Sequence, residues 1–277
     1  MKIIPNIPGF AKLLYCLKYF NPYKKTIEAA KAAGDDEEER RQILAATSSF
    51  GPMIMKMFDC KLTVEGLDNL PEKGPVVLVG NHQGYADIAA HFAAFRKFQF
   101  AFVAKEELAK IPFYGPWMAR IRSVFIPRGE AKASLEAIRE GVALLERGFS
   151  LVIFPEGTRS QSSEPGPFMK GAFKLATRAK VPIVPVSLDG TYNMFEATGV
   201  IQPADIRMIV HEPIPTAGLS RQEEKELPER VEKIVTDGVR LLAGKAAGED
   251  AAEQNAETDN SNDKEEKENS NDKEETL

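Results

Sequence analysis

From residue 61 onward, short runs of β-forming residues alternate with helical patterns, and that alternation limits the chain to a small set of folds. KLTVEG (61–66), PVVLVG (75–80), FQFAFVA (98–104), SVFIP (123–127) and the runs 150–154 and 182–188 each read as a strand. IRMIVHEPI (206–214) reads as one more. Between them, Leu135, Ile138, Val142 and Leu145 share one face of a helix over Ser134–Arg147, which Gly148 ends. Phe168–Ala179 reads as another helix, and Ser220 with Glu223 has capping-box spacing at the head of a last one. Such alternation predicts a single α/β domain over 61–245, with a central sheet flanked by helices. Strand order is not legible at this level.

The two ends differ from this middle and from each other. The 277-residue chain carries a formal net charge of −5, but that figure averages unlike parts. From Ala246 to Leu277 there are 12 acidic and 3 basic residues, with NSNDKEE repeated, so the remaining chain is net +4. A segment this polar has too little apolar surface to offset its ordering entropy, and 246–277 is expected to be a disordered acidic tail. Residues 1–60 read as a helical segment. Lys2, Lys12, Lys18, Lys24 and Lys25 come with no acid in the first 25 residues, and Ile3, Ile7, Phe10, Leu14 and Leu17 recur at helical spacing, with Pro8 placed to open the helix. That pattern suits either a helix lying in a membrane interface or one packed on its own core. A second helix is expected over Asp35–Ser49, acidic at its start and ended by Gly51-Pro52.

Composition excludes several classes. The two cysteines, Cys16 and Cys60, cannot build a disulfide framework or a four-thiolate zinc site, and three histidines disfavour a histidine-rich metal centre. The apolar run Ile43–Met55 is too short to span a bilayer, and no signal-peptide pattern is evident. There is no GxSxG elbow, P-loop or dinucleotide glycine motif.

The chemistry-bearing residues sit where strands end. Asn81-His82-Gln83-Gly84-Tyr85-Ala86-Asp87 follows PVVLVG directly. A histidine five residues before an aspartate, across a turn into a helix, can form a dyad in which the carboxylate sets the tautomer and the far nitrogen acts as base. The same spacing also occurs where the two merely cap a helix. Phe154-Pro155-Glu156-Gly157-Thr158-Arg159-Ser160 follows the 150–154 strand and offers a turn glycine, a hydroxyl and a guanidinium fork suited to phosphate. Lys105 and Arg128 lie beside two further strands. Together these suggest an anionic substrate held next to a base. His91 and His211 read as structural, and Trp117, with Phe113, Tyr114 and Met118, either lines an acyl pocket or packs a core.

Four blocks in order, NHQGYAD, VAKEELAKIPFYGPWMARIRSVFIPRG, FPEGTRS with GPFMKGAFKLA, and VPIVPVSL, resemble those of the 1-acylglycerol-3-phosphate acyltransferases, over roughly Lys61–Pro213. The resemblance implies acyl transfer from acyl-CoA or acyl-carrier protein to a glycerophospholipid hydroxyl. It implies no cofactor, metal or nucleic acid. It implies His82 as general base, Asp87 as its orienting partner, and Glu156, Gly157, Thr158 and Arg159 as the acceptor-phosphate site, assisted by Lys105 and Arg128. The second block departs from the family, which often has glycine at Ser123 and aspartate at Pro127. A lipid acceptor further implies peripheral attachment to the cytoplasmic face of the cell membrane through residues 1–25. Acylation of glycerol 3-phosphate or another lysolipid, or lipid binding without catalysis, stand as alternatives.

Overall fold

The computed structural model describes residues 3–19, 21–127 and 131–246. Arg128 and the acidic tail from 247 onward lie outside the described residues. Up to Val239 the chain forms one compact unit. Its centre is a seven-stranded sheet of β1 (Lys61–Glu65), β2 (Val77–Gly80), β3 (Ala101–Lys105), β4 (Val124–Ile126), β5 (Leu151–Ile153), β6 (Ile183–Asp189) and β7 (Asp205–Val210), ordered β1-β7-β6-β2-β5-β3-β4. Neighbours pair in parallel except β6 with β7. Every residue of β2, β5 and β6 is buried, as expected of central strands covered on both faces. Because β3, β5, β2 and β6 run the same way, their four C-terminal ends emerge at one edge, where ligands of open parallel sheets bind.

Helices α1 (Ile3–Tyr19), α2 (Asn21–Ala33), α3 (Asp36–Met57), α4 (Ala86–Ala94), α5 (Tyr114–Arg120), α6 (Ala131–Glu146) and α7 (Lys174–Ala179) surround the sheet. α8 spans 221–246, and Leu227, Val231, Val235 and Val239 form its buried stripe. Its capping box forms, with Ser220 N donating to Glu223 Oε2 at 2.8 Å and Glu223 N to Ser220 Oγ at 3.3 Å.

Three local expectations are corrected. α3 does not stop at Gly51-Pro52 but continues to Met57. Pro52 offers no N–H to the Ser48 carbonyl, which instead accepts from Arg96 Nε at 3.3 Å, and Gly51 lets α4 approach the α3 backbone directly. α1 begins at Ile3 and contains Pro8 rather than starting on it. Residues 168–179 divide into a 3₁₀ turn, Lys170–Phe173, and α7. Phe168 and Met169 stay outside because their N–H groups donate to Glu232 Oε2 and Pro155 O.

α1 packs inward through Asn6, whose side chain bonds Gly199 O at 2.7 Å and Ile201 N at 2.8 Å, and through Gly9 and Cys16. Its outer side carries Ile7, Phe10, Leu14 and Tyr15, all exposed. Among the described residues no helix is long and apolar enough to cross a membrane.

Candidate active site

The two loops that follow β2 and β5 meet because their strands are neighbours in register, Val79 opposite Ile153. Backbone bonds then join them: Ser160 N donates to His82 O at 2.8 Å and Gln161 N to Gln83 O at 3.2 Å. Beyond β2 the Asn81 side chain stands in for ladder partners, donating to Leu188 O and accepting from Leu188 N. The turn after β2 is thereby anchored on both sides before it enters α4.

His82 Nδ1 lies 2.5 Å from Asp87 Oδ2. That same oxygen accepts from Gln83 N at 2.8 Å and Gly84 N at 3.1 Å, while Oδ1 accepts from the Thr191 hydroxyl at 2.5 Å. Asp87 is wholly buried, and four donors supply what water would otherwise give an ionised carboxylate. Acceptance from Nδ1–H leaves Nε2 as the lone-pair nitrogen of neutral His82. The ring stacks on Phe154 at 4.3 Å and stays 21 % exposed, so it is braced yet reachable.

Glu156 faces inward rather than toward solvent. Its Oε1 accepts from His82 N at 2.6 Å and its Oε2 from Gly166 N at 2.7 Å. Burial pushes its carboxyl above the usual range, against the pull of these two bonds. The carboxylate therefore staples the loop bearing His82 to the loop after β5. Gly157 takes a left-handed turn (φ +65°), where a Cβ would stand 2.4 Å from Met169 Cε. Thr158 is exposed and Arg159 half-buried. Lys105, half-buried, ends β3 at the same sheet edge. Arg128 falls outside the described residues.

Other residues of the site had no sequence signal. Asp189 ends β6, the strand that pairs with β2, and Thr191 and Glu196 follow it. Gln83 Nε2 donates to Asp189 Oδ1 at 2.8 Å, extending the buried network behind Asp87. Glu196 pairs with Arg159. The other two histidines are structural. Buried His91 donates from Nδ1 to Asp87 O at 2.7 Å, and burial holds its pKa down. His211 Nε2 meets Ser187 Oγ, which donates to Val235 O. Among the described residues no three metal-ligating side chains cluster.

A cleft of about 50 Å³ lies between α3, α4 and α5, lined by Thr47, Phe50, Ile88, Phe92, Trp117 and Met118 among others. Ile88 directly follows Asp87, so its inner wall belongs to the helix that carries the dyad's carboxylate.

A family model described as acyltransferase matches residues 61–189. A 1-acyl-sn-glycerol-3-phosphate acyltransferase of Borreliella burgdorferi is 30% identical over 168 residues, covering 60% of this chain and 67% of that protein. This chain belongs to the 1-acyl-sn-glycerol-3-phosphate acyltransferase family. A chloroplastic member from Brassica napus is 34% identical over 157 residues, 56% of this chain and 45% of the plant protein. The chain thus spans less than half the length of that plant relative. The crystal structure of the 1-acyl-sn-glycerophosphate acyltransferase PlsC from Thermotoga maritima superposes with a TM-score of 0.66 at 29% identity, covering 85% of this chain and 97% of that one.

Proposed function

We propose that this family member transfers a fatty acyl group from a thioester, acyl-CoA or acyl-carrier protein, to the free hydroxyl of 1-acylglycerol 3-phosphate, giving phosphatidic acid. The observation that carries the reading is the His82 Nδ1–Asp87 contact of 2.5 Å, with Nε2 left for substrate. His82 Nε2 takes the hydroxyl proton as the oxygen attacks the thioester carbonyl. The tetrahedral oxyanion then collapses, the carbon–sulfur bond breaks, and the imidazolium returns the proton to the leaving thiolate. Asp87 keeps the ring in the right tautomer and stabilises the imidazolium between these steps. Arg159, with Lys105 and Arg128, binds the acceptor phosphate. Glu156 acts by holding the His82 backbone rather than by touching phosphate. The cleft behind Ile88 receives the start of the acyl chain.

An enzyme acting on a lysolipid has to reach the bilayer surface. The exposed Ile7, Phe10, Leu14 and Tyr15 beside Lys12 and Lys18 suit α1 to lie in an anionic interface, at the cytoplasmic face of the cell membrane.

The test is transfer of radiolabelled acyl groups from acyl-CoA to 1-acylglycerol 3-phosphate by wild type and His82→Ala. Phosphatidic acid formed by the first and lost in the second supports the reading. Turnover that survives in His82→Ala overturns the base assignment. A wild type that acylates glycerol 3-phosphate or a neutral lysolipid in preference overturns the acceptor.

A further inference from the structure

Arg159 is held before any ligand arrives. Its Nη1 donates to Glu196 Oε1 at 2.8 Å, and its guanidinium carbon lies 3.7 Å from the Tyr85 ring centroid, a close cation–π stack. Tyr85 N donates to the same Glu196 oxygen at 2.9 Å. Glu196 is 3 % exposed in its side chain, and its Oε2 is buried with no hydrogen-bond partner among the described residues. Burial pushes its carboxyl up, against the Tyr85 N–H and the Arg159 charge. Room for the carboxylate exists because residue 84 is glycine, where a Cβ would stand 2.5 Å from Oε2. A carboxylate that merely tied two loops together would be expected to engage both oxygens, since a buried unsatisfied one is unfavourable. Here both donors converge on the oxygen that faces Arg159.

We propose that Glu196 is a positioning residue of the acceptor site, fixing the plane of Arg159 so that the guanidinium meets the acceptor phosphate already ordered. The inference rests on the reading of Arg159 as a phosphate ligand. Tyr85 covers one face of the guanidinium and Glu196 takes Nη1. Nε and Nη2 make no hydrogen bond among the described residues and are left for phosphate oxygens. Immobilising a free arginine on binding would lower affinity, and prior orientation removes that penalty. The effect therefore falls on acceptor binding, not on the chemical step.

The experiment is a double-mutant cycle, with steady-state kinetics on acyl-CoA and on 1-acylglycerol 3-phosphate in detergent micelles. Glu196→Ala is expected to raise the acceptor KM about tenfold, the worth of one charge-assisted hydrogen bond, with kcat and acyl-CoA KM within about twofold of wild type. Glu196→Gln, which keeps an acceptor at Oε1, is expected to restore KM to within about threefold. In an Arg159→Ala background, Glu196→Ala is expected to add nothing, because the residue it orients has gone. An unchanged KM, a fall in kcat alone, or a full further rise on top of Arg159→Ala overturns the proposal. If Glu196→Ala fails to fold by circular dichroism, Glu196→Asp, which withdraws the carboxylate by one methylene, carries the same cycle and the same criteria. If Arg159→Ala itself leaves the acceptor KM unchanged, the phosphate assignment fails first and the proposal falls with it.

Discussion

Asp87→Asn measures what the buried carboxylate does for His82. In the general case an asparagine here can turn either way, and one orientation offers N–H to the imidazole and leaves it in the wrong tautomer. This site does not allow that turn. The Oδ2 position faces the N–H groups of Gln83 and Gly84 as well as His82 Nδ1, so an amide NH2 there would meet three donors. The amide oxygen must take that place, and the NH2 then points at the Thr191 hydroxyl, which can accept it. The tautomer survives and the negative charge alone is lost. A carboxylate and an imidazolium with charge centres about 4 Å apart, at an effective dielectric of about 20, attract by about 4 kcal/mol. The amide dipole retains part of this and the ring is 21 % exposed. The barrier is therefore expected to rise by about 2–4 kcal/mol, roughly 30- to 1,000-fold in turnover. In a serine-protease triad the same exchange costs roughly 10⁴-fold because the tautomer is wrong. Thiol release in stopped time courses, with melting temperature as the fold control, reads the difference. A loss under threefold would mean that no imidazolium forms on the reaction path. A loss of 10⁴-fold or more would refute the orientation argument.

Gly51→Ala is expected to destabilise the fold by about 1–3 kcal/mol or more by overpacking, because its Cβ would stand 2.1 Å from Ala93 N; an unchanged melting temperature would contradict the α3–α4 approach. Burial depresses the pKa of His91, and of His211, so the folded chain resists a proton that the unfolded chain accepts. Their contribution to stability is complete above about pH 6.5 and is lost as pH falls, by up to about 1.4 kcal/mol per pH unit for each group. The raised carboxyls of Glu156 and Glu196 act in the opposite sense, so the check is a comparison: melting temperatures from pH 7.5 to 5.5 should fall less steeply in His91→Gln than in wild type. Ile7→Asp with Leu14→Asp, both on the exposed side of α1, should weaken sedimentation with anionic liposomes without lowering the melting temperature; equal binding by the double variant would remove α1 as the anchor.

The middle of the fold was legible because periodicity there follows burial. Strands β2, β5 and β6 are buried on both faces and read as continuous apolar runs, and α6 shows its inner face at helical spacing. The errors came where tertiary contact overrides local preference. Gly51-Pro52 is a strong stop signal, yet α3 runs through it because Arg96 satisfies the freed carbonyl and α4 occupies the space left by the missing side chain. α2 was not singled out, since Asn21–Ala33 combines lysines with alanines and its buried face rests on Ile27 and the small Ala30. Strand order depends on which edges pair, and nothing local to β7 announces that it runs antiparallel to β6, or that β1 pairs with it in the same direction.

The site divides along the same line. His82 and Asp87 lie on one turn, so their contact follows from spacing, and the proximity of Arg159 follows from a second motif at the end of a strand. Glu156 was legible as a member of that motif but not in its placement: the acid looks like part of a ligand site, and the fold spends it on the backbone of His82. What local pattern could not supply is the third wall. Asp189, Thr191 and Glu196 sit about a hundred residues beyond the turn they complete, in a stretch with no recognisable spacing. They become neighbours because β6 pairs with β2 in parallel register, with Val186 opposite Gly80, so the segment after one strand leaves beside the segment after the other. The dyad's outer carboxylate oxygen and the arginine's bound edge are then both set by that one segment. Substitution of Thr191 should then act through the base and substitution of Glu196 through the acceptor site, although neither residue carries a motif.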